Sequence, residues 1–185
     1  MSRKAAREKI LTTSSFRCLV REVMATVGEK YGLALIGGIA VSHYANPPAT
    51  PDVDFLVDGL LSEFLDDAEG FFYPPCKFER FSFEQRGLGL IQNMVRVGNL
   101  SKDLAVDFLL TGSDPYLSSV VENAVMVELQ PNLELPVARV EDVILLKMKA
   151  DRHKDAEDIA ALYLAMEGRL DLQYIERMWK ELKIK

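Results

Sequence analysis

The chain has 185 residues, of which 49% are hydrophobic and 27% are charged, and its 22 Lys and Arg against 28 Asp and Glu give a formal net charge of −6. This composition is typical of a folded globular domain and excludes a disordered, collagen-like or coiled-coil chain. A membrane span needs about 18 consecutive apolar residues, whereas the longest apolar run, residues 33–41, includes two glycines. We therefore expect no membrane partner.

The amino terminus begins with charged residues, as a secretory signal does, but residues 12–15 are Thr and Ser where an apolar segment would follow. We therefore predict a cytoplasmic protein. Cys18 and Cys76 are too few for a disulfide framework and lack C-x-x-C spacing, so we expect reduced packing residues. Because the only histidines are His43 and His153, a metal site has to rely on carboxylates.

The hydrophobic pattern predicts helices and strands that alternate, with a β-rich middle and a helical carboxyl-terminal third. The predicted helices cover residues 5–30, 38–45, 60–69, a short stretch after 114–115, 141–150, 155–168 and 172–182. The predicted strands cover residues 33–37, 52–59, 77–84, 89–97, 103–112 and 133–139. Gly28 is predicted to end the first helix and Gly168 to cap the helix before the last one.

The charge is distributed unevenly along the chain. Residues 1–30 carry 7 Lys and Arg against 3 Asp and Glu, net +4, whereas residues 31–140 carry 6 against 15, net −9. Residues 141–185 are nearly balanced, with 9 against 10. A polyanionic partner would therefore meet positive potential only near the ends of the chain.

Three features together predict phosphate and metal chemistry, although each alone is equally typical of a tight turn or a solvated strand face. Gly37 and Gly38 lie between a strand and a helix, where backbone N–H groups can approach a phosphate. Asp52 and Asp54 project from one face of a strand and repel each other unless a divalent cation such as Mg²⁺ binds there. Asp107 on a later strand adds a third carboxylate, as a metal ligand or as a base. This set predicts phosphoryl or nucleotidyl transfer.

The segment LIGGIAVSHYANPPATPDVDFLV resembles the signature of the DNA polymerase β-like nucleotidyltransferase superfamily: a glycine pair, then Asp-x-Asp, then a third Asp on another strand. Three sequence segments resemble small prokaryotic AbiEii-type nucleotidyltransferases most closely: GGIAVSHY, DVDF and LLKMKADRHKDAEDI. The resemblance implies an α/β fold of the α+β type, with a small twisted mixed sheet flanked by helices. It also implies a nucleotidyltransferase core over residues 1–138 and a helical region, residues 139–185, packed on it.

The resemblance also implies roles for individual residues. The implied metal ligands and catalytic residues, for one or two Mg²⁺ ions, are Asp52, Asp54 and Asp107. The implied nucleotide-binding residues are Gly37, Gly38, Thr50 and Lys147. Further candidates near the nucleotide are Arg152, Lys154 and Asp155, and His43 is expected to be a packed, neutral histidine that caps the loop. Pro48 stands where many relatives carry a phosphate-binding Arg.

Lys147 has two interpretations. Lys147, Asp151, Lys154 and Asp158 are spaced to share one face of an unbroken helix, where they would form ion pairs four residues apart. The resemblance instead implies that Lys147 contacts a phosphate, which a lysine can neutralise as a point charge.

These observations predict a Mg²⁺-dependent nucleotidyltransferase that uses ATP or another nucleoside triphosphate and a hydroxyl acceptor. The acceptor is an RNA 3′ end or a protein hydroxyl if the chain is the toxin of a toxin–antitoxin pair, with a cognate antitoxin as partner. It is a small molecule such as an aminoglycoside if the chain is a resistance enzyme. The alternative is a non-catalytic nucleotide-binding or partner-binding protein that retains the fold.

Overall fold

A computed structural model of the chain describes residues 14–45, 52–71, 77–82, 93–98 and 105–184. The helices are α1 (Ser14–Lys30), α2 (Gly37–Tyr44), α3 (Leu61–Phe71), α4 (Pro115–Glu122), α5 (Val140–Ala150), α6 (His153–Ala165) and α7 (Leu172–Glu181). The strands are β1 (Leu33–Ile36), β2 (Asp52–Val57), β3 (Lys77–Ser82), β4 (Asn93–Gly98), β5 (Ala105–Leu110), β6 (Val125–Gln130) and β7 (Leu133–Val137). The predicted features Thr50, Pro48, Cys76 and the helix before residue 14 lie outside the described residues.

The seven strands form one mixed sheet in the order β3-β4-β5-β2-β1-β7-β6. The pairs β2/β5 and β1/β7 are parallel, and the other neighbouring pairs are antiparallel. The predicted α/β class, a mixed sheet flanked by helices, is therefore confirmed. None of the described helices is both long enough and apolar enough to cross a membrane.

The two central strands β2 and β5 have one apolar and one acidic face. Their register pairs Phe55 with Phe108, and these two rings stack with their centroids 6.3 Å apart. Phe64 of α3 covers them, with its ring centroid 5.2 Å from that of Phe108. All three side chains are completely buried, and each buried aromatic ring contributes about 2–3 kcal/mol of hydrophobic stabilisation. Because side chains alternate along a strand, this packing leaves the aspartates on the opposite face.

The carboxyl-terminal helices are tied to the sheet domain through α2 and a buried carboxylate. Helix α2 contacts β1, β2, α5 and α6, so it lies between the sheet and these helices. Asp142 of α5 is fully buried. It accepts hydrogen bonds from the hydroxyls of Tyr116 (3.2 Å) and Tyr174 (2.6 Å) and from Arg139 Nε (3.0 Å). These bonds offset the cost of burying the charge and connect α4, α5 and α7.

Several local predictions were wrong. Helix α1 continues through Gly28 to Lys30, and Gly28 is not among the glycines with a positive φ that would end a helix. Helix α6 ends at Ala165 with Met166 as its C-cap, and Gly168 lies in the following turn with a φ of +72°. Cys18 is exposed on α1 rather than packed.

The four charged residues Lys147, Asp151, Lys154 and Asp158 do not share one helical face, because the chain here forms two helices, as the separate patterns over residues 141–150 and 155–168 predict. Helix α5 ends at Ala150, and Asp151 adopts a left-handed conformation with a φ of +46° before α6 begins at His153. The left-handed residue turns the chain, because one such residue cannot continue a right-handed helix. Charged residues on α5 and α6 therefore meet across a corner between two helices.

Candidate active site

The acidic face of the sheet carries a row of charged residues across three neighbouring strands. Asp54 on β2 is the register partner of Asp107 on β5, and Asp107 is in turn the partner of Arg96 on β4. Asp52 lies two residues before Asp54 on β2. Register partners project from the same face of a sheet, so the three aspartates predicted from the sequence lie on one face of two neighbouring strands.

Gly37 begins α2 directly beside this row. Its φ of +65° is a left-handed conformation that favours glycine. A Cβ atom at this position would lie 1.9 Å from Asp54 Oδ2, so no other residue fits while the carboxylate keeps its place. Gly38 follows in the first turn of α2. The amino-terminal end of α2 therefore lies against Asp54, and its free N–H groups and helix dipole favour a bound anion there.

We expect Gly37→Ala to destabilise the protein more than a matched glycine substitution elsewhere. The left-handed backbone alone costs an alanine about 1–2 kcal/mol, and the clash with Asp54 adds to it. Gly112→Ala is the control, because Gly112 has a similar φ of +61° but a Cβ atom added there would meet nothing within 4 Å. Urea unfolding of both variants measures the difference. Equal destabilisation would contradict the contact between Gly37 and Asp54.

Asp54 is the electrostatic centre of the row. Burial, followed by the charges of Asp107 and Asp52, raises the pKa of Asp54 from 3.8 to about 6. Arg152 and Lys154, at the beginning of α6, act in the opposite direction and lower that pKa. The charges of Arg152 and Lys154 therefore influence the pKa of Asp54. The resemblance implies that both residues lie near the nucleotide.

Arg96 is the residue of this site that the sequence analysis missed. Its Nε donates to Asp107 Oδ1 and its Nη2 to Asp107 Oδ2, both at 2.6 Å. The Nη2 atom also lies 3.7 Å from Asp52 Oδ1. Asp107 itself is nearly inaccessible, with 4% of its surface exposed. The only signal in the sequence was an arginine between two apolar residues, Val95 and Val97, on a predicted strand.

The donor set fits Mg²⁺ that binds together with a nucleotide. Among the described residues, no three Asp, Glu, His or Cys side chains converge on one point as they would around a metal held by protein ligands alone. Magnesium is commonly held by one or two carboxylates together with substrate phosphates and water. Asp52 and Asp54 supply such carboxylates, and a cation would relieve the repulsion that raises the pKa of Asp54.

Lys147 lies in a buried ion-pair cluster at the corner between α5 and α6. Its Nζ donates to Asp155 Oδ1 at 3.0 Å and to Asp158 Oδ2 at 2.7 Å, and only 6% of its side chain is exposed. Arg152 Nε donates to Asp155 Oδ2 at 2.8 Å. Burial raises the pKa of Asp155, but the hydrogen bonds from Arg152 and Lys147 outweigh it and leave that pKa below its usual value. The role of Lys147 as a phosphate contact stays a prediction.

His43 lies in the last turn of α2 and is exposed rather than packed. Its ring meets Tyr44 edge to face, with the centroids 4.7 Å apart. Desolvation by the surrounding protein atoms lowers the pKa of His43, so the predicted neutral form is the favoured one at pH 7. The loop that it was predicted to cap lies outside the described residues.

Comparison with solved structures identifies the class of this fold. No protein-family model matches the sequence, and no curated protein matches it. The solution structure of the antibiotic-resistance factor ANT(2'')-Ia aligns with a TM-score of 0.55 and 13% sequence identity, over 92% of this chain and 92% of that one. The crystal structure of ANT(2'')-Ia with adenylyl-2''-tobramycin aligns with a TM-score of 0.53 and 12% identity, over 92% and 98% of the two chains. The chain therefore has a nucleotidyltransferase-like fold.

Proposed function

We propose that the protein is a Mg²⁺-dependent nucleotidyltransferase that moves a nucleoside monophosphate from a triphosphate to a hydroxyl acceptor. The observation that carries this proposal is the row of Asp52, Asp54 and Asp107 on one face of two parallel strands, directly against the glycine that begins α2. The nucleotidyltransferase-like fold supports it independently.

The triphosphate binds at the amino-terminal end of α2 in this proposal, against Gly37 and Gly38. Helix N–H groups there can donate hydrogen bonds to a phosphate oxygen. Arg152 and Lys154, at the beginning of α6, lower the pKa of the same carboxylate, and in this proposal their positive charges also neutralise phosphates of the bound triphosphate. Thr50 precedes Asp52 by two residues, and the resemblance implies that its hydroxyl also supports nucleotide binding. Lys147 contributes by holding Asp155, which in turn orients Arg152.

Asp52 and Asp54 hold the metal, and Asp107 is the third ligand or the base. When bound, Mg²⁺ would neutralise the developing charge on the phosphates and lower the pKa of a coordinated hydroxyl. As the base, Asp107 takes the proton of the acceptor hydroxyl while the oxygen of that hydroxyl forms a bond to the α-phosphorus. The bond from that phosphorus to the bridging oxygen breaks, and pyrophosphate leaves.

The charge of the chain favours a cationic small molecule as acceptor. Residues 31–140, which contain the whole acidic row, carry a net charge of −9, and such a surface attracts cations and repels a polyanion. ANT(2'')-Ia, which shares the fold, was crystallised with an adenylylated tobramycin. The second candidate is the toxin of a toxin–antitoxin pair that acts in the cytoplasm on RNA or protein. The AbiEii-like sequence segments and the net positive charge of residues 1–30 support this candidate.

The test is transfer of label from each α-³²P nucleoside triphosphate, with Mg²⁺, to aminoglycosides, total RNA or an extract of proteins. We expect label in one acceptor fraction with the wild-type protein, and none with Asp52→Asn/Asp54→Asn, because the metal ligands are lost. Label in the aminoglycosides selects the resistance enzyme, and label in RNA or protein selects the toxin. Nucleotide binding without transfer to any fraction contradicts the proposal and selects the non-catalytic alternative.

A further inference from the structure

The guanidinium of Arg96 occupies the position where a cation would bind the third aspartate. Both carboxylate oxygens of Asp107 accept a hydrogen bond from it at 2.6 Å, the paired geometry in which arginine binds carboxylates most strongly. The same guanidinium extends to 3.7 Å from Asp52 Oδ1. Arg96 thus bridges two of the three carboxylates that the proposed function assigns to metal binding.

The fold holds Arg96 in this place. Arg96 and Asp107 are register partners on adjacent antiparallel strands, and their neighbours Val95, Val97 and Phe108 are buried on the opposite face. The strand backbone therefore cannot move Arg96 away, and only its side chain is free to change. About a third of that side chain, 35%, is exposed, so it has solvent into which it can rotate.

We propose that Arg96 is an internal counter-ion that competes with the divalent cation for Asp107. A carboxylate already bonded at both oxygens to a guanidinium is a weaker metal ligand, and a divalent cation beside the guanidinium experiences like-charge repulsion. Arg96 therefore lowers the metal affinity of the nucleotide-free protein. Arg96 would leave Asp107 when a triphosphate, whose phosphates add oxygen ligands for a divalent cation, is bound beside the aspartates.

This inference rests on the proposed function and makes Arg96 a positioning residue. While Arg96 holds Asp107, the carboxylate serves neither as a metal ligand nor as a base, so the site is completed only when the nucleotide and metal are both bound. This ordering would prevent a metal-loaded site from forming without its substrate.

The experiment measures Mn²⁺ binding to the nucleotide-free protein by the electron paramagnetic resonance signal of free Mn²⁺. We expect Arg96→Met, which keeps the aliphatic bulk but removes the charge, to bind Mn²⁺ about tenfold more tightly than the wild-type protein. We expect Arg96→Lys, which keeps a charge but not the paired geometry, to show a smaller gain. Because Arg96→Lys is the milder change, it provides the same test if Arg96→Met does not fold.

Arg169→Met is the matched control, because it removes one positive charge far from the aspartates. Arg169 lies beyond the carboxyl-terminal end of α6, and this 13-residue helix is about 20 Å long. We expect the Mn²⁺ affinity of Arg169→Met to equal that of the wild-type protein. The double variant Arg96→Met/Asp107→Asn is expected to lose the gain, since the freed carboxylate is then absent.

Wild-type or weaker Mn²⁺ affinity in a folded Arg96→Met protein overturns the inference, as does an equal gain in Arg169→Met. The proposed function is judged separately by transfer of label in the wild-type protein. Tighter Mn²⁺ binding without any transfer would therefore support the role of Arg96 while contradicting the enzymatic activity. If the wild-type protein transfers label but Arg96→Met binds Mn²⁺ no more tightly, the enzymatic activity is supported and the role of Arg96 is contradicted.

Discussion

Asp54→Asn is expected to reduce nucleotidyl transfer by about a thousandfold and at the same time to stabilise the metal-free protein at pH 7. The loss of activity follows from the proposed function, because Asp54 is the carboxylate that lies between Gly37 and Asp107, and its removal would take away a proposed metal ligand. A single electrostatic contact to the reacting group is worth a factor of about 10²–10³ in rate, and the loss of a metal ligand is at the upper end of this range.

The gain in stability follows from the raised pKa of Asp54. In the folded protein this pKa is about 6 instead of 3.8, so between these values the folded state binds more protons than the unfolded state. The free energy of unfolding therefore falls as the pH rises from about 4 to about 6. Asparagine carries no charge, so Asp54→Asn avoids this loss and is expected to be more stable than the wild-type protein by about 3 kcal/mol at pH 7.

Urea unfolding between pH 4 and pH 8, with and without Mg²⁺ and a nucleoside triphosphate added together, checks this expectation. The wild-type protein should lose stability between about pH 4 and pH 6 and recover it when Mg²⁺ and the triphosphate are both present, whereas Asp54→Asn should show a smaller loss and a smaller recovery. The combination separates a lost catalytic group from a misfolded protein. An Asp54→Asn variant that is less stable than the wild-type protein at pH 7 would contradict the crowding of carboxylates in the site.

Lys147→Met is expected to destabilise the protein by about 3 kcal/mol. Lys147 is buried and bridges Asp155 and Asp158 across the corner between α5 and α6. Removing one partner of a buried ion pair leaves an uncompensated charge, which costs about 3–5 kcal/mol. Asp155 keeps its bonds from Arg152, so we expect the lower end of that range.

Lys149→Met is the matched control on the same helix. Lys149 is similarly buried, but its Nζ donates to a neutral group, the backbone carbonyl of Leu182, at 2.7 Å. Lys149→Met removes a hydrogen bond to a neutral carbonyl, so we expect the free energy of unfolding to fall by about 1.5 kcal/mol. Urea unfolding and nucleotide titration of both variants decide the role of Lys147. Wild-type stability with lost nucleotide affinity in Lys147→Met would favour the phosphate contact that the resemblance implies.

The local pattern of the sequence was sufficient to place Asp52 and Asp54 on one strand face and to predict the glycine turn. The alternation along β2 places Asp52 and Asp54 on one face because side chains on a strand alternate, whatever surrounds the strand. A glycine pair after an apolar strand predicts a backbone that no other residue adopts easily, and Gly37 has it. These predictions depend on residues close together in the chain, which is why they needed no knowledge of the packing.

Only the tertiary structure decided which charges are paired. Arg96 meets Asp107 because β4 and β5 align in one particular antiparallel register, and a shift by one residue would place the arginine on the opposite face. Lys147 meets Asp155 and Asp158 because Asp151 turns the chain between two helices. The sequence by itself determined where carboxylates and glycines could form a site. The packing of distant strands and helices decided which of these carboxylates pair with Arg96 or Lys147. Strand register and the angle between two helices depend on contacts between distant residues, which no local sequence pattern contains.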